Sequence, residues 1–145
     1  MRKAQSDKKE RTPILAPTKV FQDNFTPAHG NALQAAVASI FGLSLQSVPN
    51  FIESPEGYEA AIAKFYQQGE KKGKCVKIKL DDNKISHEYK DKICILRGKS
   101  PRGNFGHVVV ARQLTHGEFE MLHDPHPEGT FLDETEAYGW CLFFG

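Results

Sequence analysis

His29-Gly30-Asn31-Ala32-Leu33-Gln34-Ala35-Ala36 opens the stretch from which the fold is read. Apolar side chains recur at helical spacing, at Leu33, Ala36, Val37, Ile40 and Phe41, so the segment predicts a helix over 31–41. Asn31 is a favourable N-cap type, and Gly42 supplies a stop because glycine enters the left-handed conformation without a Cβ clash. Residue 32 then lies in the first turn, where backbone N–H groups lack helical partners and the macrodipole is positive. A thiol there would be held as a thiolate, and the N–H of residue 32 would face an oxyanion. The residue present is alanine.

Beyond this helix, Leu45 to Phe51 reads as a tight apolar connection. A second helix is expected to start near Ser54, capped by its hydroxyl with Pro55 at the first helical position, and to run through Tyr58, Ile62 and Phe65 to Gly69. After the charged turn 69–73 the pattern changes to strands, at Cys75 to Leu80, Ile93 to Arg97, His107 to Gln113, Phe119 to Asp124 and Trp140 to Phe144. Helices first and strands after them predict an α+β fold, with N-terminal helices packed on an antiparallel sheet. Val108-Val109-Val110 does not alternate with polar residues, so its strand should be covered on both faces and lie centrally.

Towards the N-terminus, Lys19-Val20-Phe21 reads as a short strand. Residues 1–16 read as a mobile basic tail and lead-in, with Arg2, Lys3, Lys8, Lys9 and Arg11 against Asp7 and Glu10 and no apolar periodicity. That leaves 17–145 as one domain. Across the 145 residues, 19 Lys and Arg against 18 Asp and Glu leave a net charge of +1, so no global field selects nucleic acid or a membrane. Cys75, Cys94 and Cys141 are far apart and read as reduced core residues. No apolar stretch approaches the roughly 20 residues that span a bilayer, and Met1 to Glu10 is too polar for a signal peptide, so a cytoplasmic protein is expected.

The remaining chemistry gathers at Gly106-His107-Val108-Val109-Val110 and His123-Asp124-Pro125. A two-residue hairpin loop at Thr115-His116 would set His107 opposite Asp124, with Cβ atoms about 4.5–5.5 Å apart. A bulge at Gly117 would slip that register by one. The carboxylate would then orient the imidazole while the other ring nitrogen faces residue 32. Gln22 is the candidate side-chain donor to an oxyanion, and Arg102, Phe105 and Gly106, in a loop that admits a substrate backbone, would line the cleft beside His29 and Asn31. His107, His123, Asp124 and His126 also suggest a metal cluster, but alternate strand side chains point to opposite faces, so no metal and no other cofactor is expected.

These motifs, spread over about residues 20–126, resemble papain-like cysteine peptidases of the bacteriocin-processing type. The resemblance implies a cysteine nucleophile at position 32, His107 as base and Asp124 as orienter, acting on a peptide or protein through a thioester acyl-enzyme. Two departures stand out: the nucleophile is Ala32, and Gln22 lies further upstream of position 32 than the family's usual oxyanion glutamine. Because every other expected part is intact, a Cys→Ala replacement is the preferred reading of an inactive chain. A natural pseudoenzyme that binds a peptide or protein is the alternative, and deamidation, acyl transfer or isopeptide cleavage would use the same three positions.

Overall fold

The helix expected from residue 31 forms as α1 (Ala32–Phe41), in a computed structural model that describes residues 17–26, 30–67, 75–80, 89–114 and 118–144. Gly42 ends it in the left-handed conformation, with φ 68°, and its N–H donates to the Ala38 carbonyl. Small side chains at Ala35, Ala36 and Ala38 are fully buried and let the helix sit close to the sheet. Two 3-10 turns, Leu45–Ser47 and Phe51–Glu53, make the apolar connection and bury Val48 and Phe51.

The second helix, α2 (Tyr58–Gln67), starts later than Ser54. Gly57 has φ 94°, a value outside helical backbone, and its N–H closes a turn on the Ser54 carbonyl at 3.1 Å. The Gly57 carbonyl then accepts the first helical bond, from the Ala61 N–H at 3.1 Å. The end expected at Gly69, the turn 69–73, the tail 1–16 and His29 lie outside the described residues.

Five strands form one antiparallel sheet: β1 (Cys75–Lys79), β2 (Ile93–Lys99), β3 (Gly106–Gln113), β4 (Phe119–His123) and β5 (Trp140–Phe144). Their spatial order is β1-β5-β2-β3-β4. The architecture is therefore α+β. On β3, Val108 and Val110 face α1 together with Val37, Ile40 and Leu142, while Val109 and Ala111 pack on the far side with Leu96, Cys141 and Phe143. Burial on both faces is what an unbroken valine run encodes, but the middle strand is β2, so β3 is interior rather than central.

Lys19 to Phe21 is not a strand. The Thr18 N–H donates to the Ser39 carbonyl and the Val20 N–H to the Ser39 hydroxyl, so the segment runs as a strap along α1. The strap crosses to the end of β4, where the Gln22 N–H reaches the Pro125 carbonyl at 3.0 Å and His123 Nε2–H donates to the Val20 carbonyl at 2.7 Å. Cys94 and Cys141 are buried, Cys75 is half-buried, and all three are free. No single helix among the described residues is long and apolar enough to cross a membrane.

Candidate active site

The hairpin brings His107 to Asp124 by a route other than direct opposition. Gln113 pairs with Phe119, Arg112 with Glu120 and Ala111 with Met121, after which a bulge shifts the ladder so that Val110 meets His123. The strand stops there, and Asp124 begins an irregular segment that curls back over the start of β3. His107 Nε2 and Asp124 Oδ1 lie 2.7 Å apart, with both side chains almost wholly buried.

Asp124 is saturated with donors. Oδ1 also accepts the His126 N–H at 2.9 Å, and Oδ2 accepts the Phe131 N–H at 2.8 Å, with Arg102 Nη1 at 4.0 Å. Burial raises the carboxyl's pKa, but the bonds from His107 and the two backbone N–H groups outweigh it and hold the value below the ordinary one. An ionised carboxylate only accepts, so His107 Nε2 carries the proton and Nδ1 is left as the basic nitrogen. Phe131 donates its N–H from φ 59°, a left-handed backbone that costs a bulky residue about 1–2 kcal/mol. Arg102 Nη1 also donates to Thr130 Oγ1 at 2.9 Å, which ties the 100–105 loop to the segment that wraps the carboxylate.

Across a cavity of about 630 Å³, lined by Ala32 and His107 among others, stands the helix wall. Ala32 is half-buried, and its backbone N–H, in the first turn, has no partner among the described residues. Gln22 lines the same cavity from the strap. Its Nε2 donates one N–H to the Asn24 carbonyl at 3.1 Å and keeps a second, while Oε1 is buried without a partner among the described residues. Asn31 does not cap α1 with its side chain. Instead its Oδ1 accepts from the Asp23 and Asn24 N–H groups, and its Nδ2 donates to Asp23 Oδ1 and Gln34 Oε1. Gln34 Nε2 carries the chain on to the Leu45 and Val48 carbonyls. Asn31 therefore braces the strap that holds Gln22 and is absent from the cavity lining.

Of the other residues singled out in the sequence, Arg102, Phe105 and Gly106 line the cavity, with Phe105 55% exposed at its rim. Phe25, 53% exposed, stands in edge contact with the His126 ring. Sequence reasoning missed Tyr58 and Trp140, which stack at 5.6 Å and 16° and contribute a flat aromatic wall. Trp140 also packs in the core. It missed Arg97 as well, although a charge inside Ile93-Cys94-Ile95-Leu96-Arg97 on the row facing α1 was a readable signal. His126 lines the cavity, with its ring 6.4 Å from that of His107, and burial and then Arg102 push its pKa down.

Among the described residues no group of three His, Cys, Asp or Glu side chains is placed to hold a metal ion. His123 is turned to the strap and Asp124 to His107. What the cavity offers is a carboxylate-oriented imidazole and, in the same lining, a helix N-terminus whose Ala32 N–H has no partner among the described residues, an arrangement suited to proton transfer and oxyanion stabilisation. Comparison with family models, curated proteins and solved structures gave no match to this chain.

Proposed function

We propose that this fold is a papain-like thiol hydrolase acting at an amide bond in a peptide or protein, with residue 32 as the nucleophile position. In this chain Ala32 leaves a protein that holds substrate without cleaving it. The observation that carries the reading is the buried 2.7 Å contact between His107 Nε2 and Asp124 Oδ1, set in one cavity with the first turn of α1. With a cysteine at position 32, His107 Nδ1 takes the thiol proton, and the thiolate attacks the amide carbonyl carbon. The N–H of residue 32 and the second N–H of Gln22 Nε2 receive the oxyanion. Collapse breaks the C–N bond as His107 returns its proton to the leaving amine, and water then hydrolyses the thioester to a carboxylic acid and the thiol. Amine in place of water would give acyl transfer, and a side-chain amide in place of a peptide bond would give deamidation. The free cysteines suit a reducing, cytoplasmic setting.

The test is Ala32→Cys, with iodoacetamide labelling followed by mass spectrometry between about pH 5 and 9. Fast labelling at acidic pH, lost in His107→Ala, supports the thiolate-imidazolium site. Labelling no faster than that of an ordinary thiol overturns it. A second reading, a noncatalytic peptide-binding module, draws on the exposed Phe25 and Phe105 at the rim. It requires the Ala32 chain to bind peptides while Ala32→Cys shows no enhanced reactivity.

A further inference from the structure

We infer that Arg97 makes this cavity selective for a substrate bearing a carboxylate close to the reacting amide. The inference rests on the cavity being the substrate site, as proposed above. Arg97 pairs with Val108 across β2 and β3, and both line the cavity on the face that carries α1. Its guanidinium lies over Gly106, where an added Cβ would come within 2.6 Å of Cζ. Glycine at 106 thus gives the guanidinium its seat, one residue before His107.

The two cavity arginines differ in their partners. Arg102 is engaged by Thr130 and stands 4.0 Å from Asp124. The Arg97 side chain is exposed into the cavity, and among the described residues no carboxylate, hydroxyl or carbonyl pairs with it. Its neighbours in the lining include Val108, Tyr58 and Trp140, whose apolar surfaces lower the local dielectric and strengthen attraction for an incoming anion. A guanidinium fork free of internal partners matches a carboxylate in two parallel hydrogen bonds. That carboxylate comes from an acidic side chain of the substrate or from its C-terminus.

The experiment compares two alkylating reagents of similar size on Ala32→Cys, iodoacetate and iodoacetamide, at low and high salt. The iodoacetate-to-iodoacetamide rate ratio should fall by a factor of about three to ten on Arg97→Gln, stay nearer the parent value in Arg97→Lys, and shrink in salt. A ratio unmoved by Arg97→Gln overturns the inference. Slow reaction with both reagents would instead count against the thiolate site, and the ratio would still report the charge at position 32. The source of the carboxylate is read with the Ala32 chain and peptides of one sequence. One contains Glu and ends in an amide, one contains Gln with a free C-terminus, and one contains Gln and ends in an amide. Tighter binding of the first or of the second, weakened by Arg97→Gln, assigns the side chain or the terminus, and equal binding of all three overturns the selectivity.

Discussion

The two walls of the cavity are built to different standards. On the strand wall Asp124 accepts three hydrogen bonds, a phenylalanine is held in left-handed backbone to supply one of them, and Arg102 ties down the loop beside it. On the helix wall the side chain at position 32 is a methyl group, and among the described residues neither the N–H behind it nor the buried Gln22 Oε1 has a partner. On the proposed reading, the saturated carboxylate is the support for a nucleophile position that alanine occupies in this chain. Structural polar networks are satisfied on all sides, whereas reaction sites keep donors in reserve.

The sharpest way to break this contrast is to fill the helix wall. In Ala32→Cys, the new thiol should label at about pH 6 at least roughly 100-fold faster than Cys75 in the same chain. Cys75 is the fitting control because burial, and then the charge of Glu59, push its pKa up to about 12. Equal rates would mean that the helix wall is inert. The next largest effect belongs to the strand wall, where Asp124→Ala in the Ala32 chain strands the His126 and Phe131 N–H groups and should lower stability by about 3 kcal/mol, read by urea unfolding. A loss below about 1 kcal/mol would show that the wall is not held by its carboxylate.

Asn31→Ala tests the brace behind Gln22. It removes the side-chain bonds to Asp23, Asn24 and Gln34 and should cost about 1–2 kcal/mol, with hydrogen exchange quickening at Asp23 and Asn24. The smallest effect is the pH response. Burial first holds the His123 pKa below 6.5, so its neutral form supports the fold fully above that value, and the support is lost as pH falls through the lower folded value. The carboxyl of Asp124, also lowered, contributes fully above 3.8 and loses its share only in stronger acid. Unfolding midpoints should therefore decline in two stages on acidification, and His123→Gln, which can still donate to the Val20 carbonyl, should shrink the first to the share of His126, whose pKa is also lowered.

Much of this architecture was written in side-chain periodicity. Helical spacing placed α1, and β5 begins and ends where its apolar run does. The errors have local causes. The start of α2 was placed too early because Ser54-Pro55 is a good helix opening in isolation, while Gly57 bends the chain before the helix begins. The meeting of His107 with Asp124 was anticipated from an ideal hairpin, but it arises from a bulge and a segment that leaves the sheet. No dipeptide pattern encodes where a ladder will be interrupted. Asn31 looked like a cap since its residue type favours that role, yet its amide makes three bonds to the strap and a fourth to the Gln34 side chain instead of capping the helix backbone. Tyr58 and Trp140 meet only because β5 threads between β1 and β2, a juxtaposition invisible along the chain.

The late strand that joins those aromatic rings also orders events in time. β1 is hydrogen-bonded in the sheet to β5 alone, and β2 takes β5 along one edge, so neither edge is satisfied until 140–144 have been made and threaded inward. A nascent chain that has reached only β4 can assemble a β2-β3-β4 meander under α1, but it exposes an edge of β2 and lacks the tryptophan side of the cavity. Pairings between strands so distant in sequence carry a large loop-closure entropy and make for slow, concerted folding. The tryptophan side of the cleft thus depends on the last of the five strands along the chain taking its place between β1 and β2.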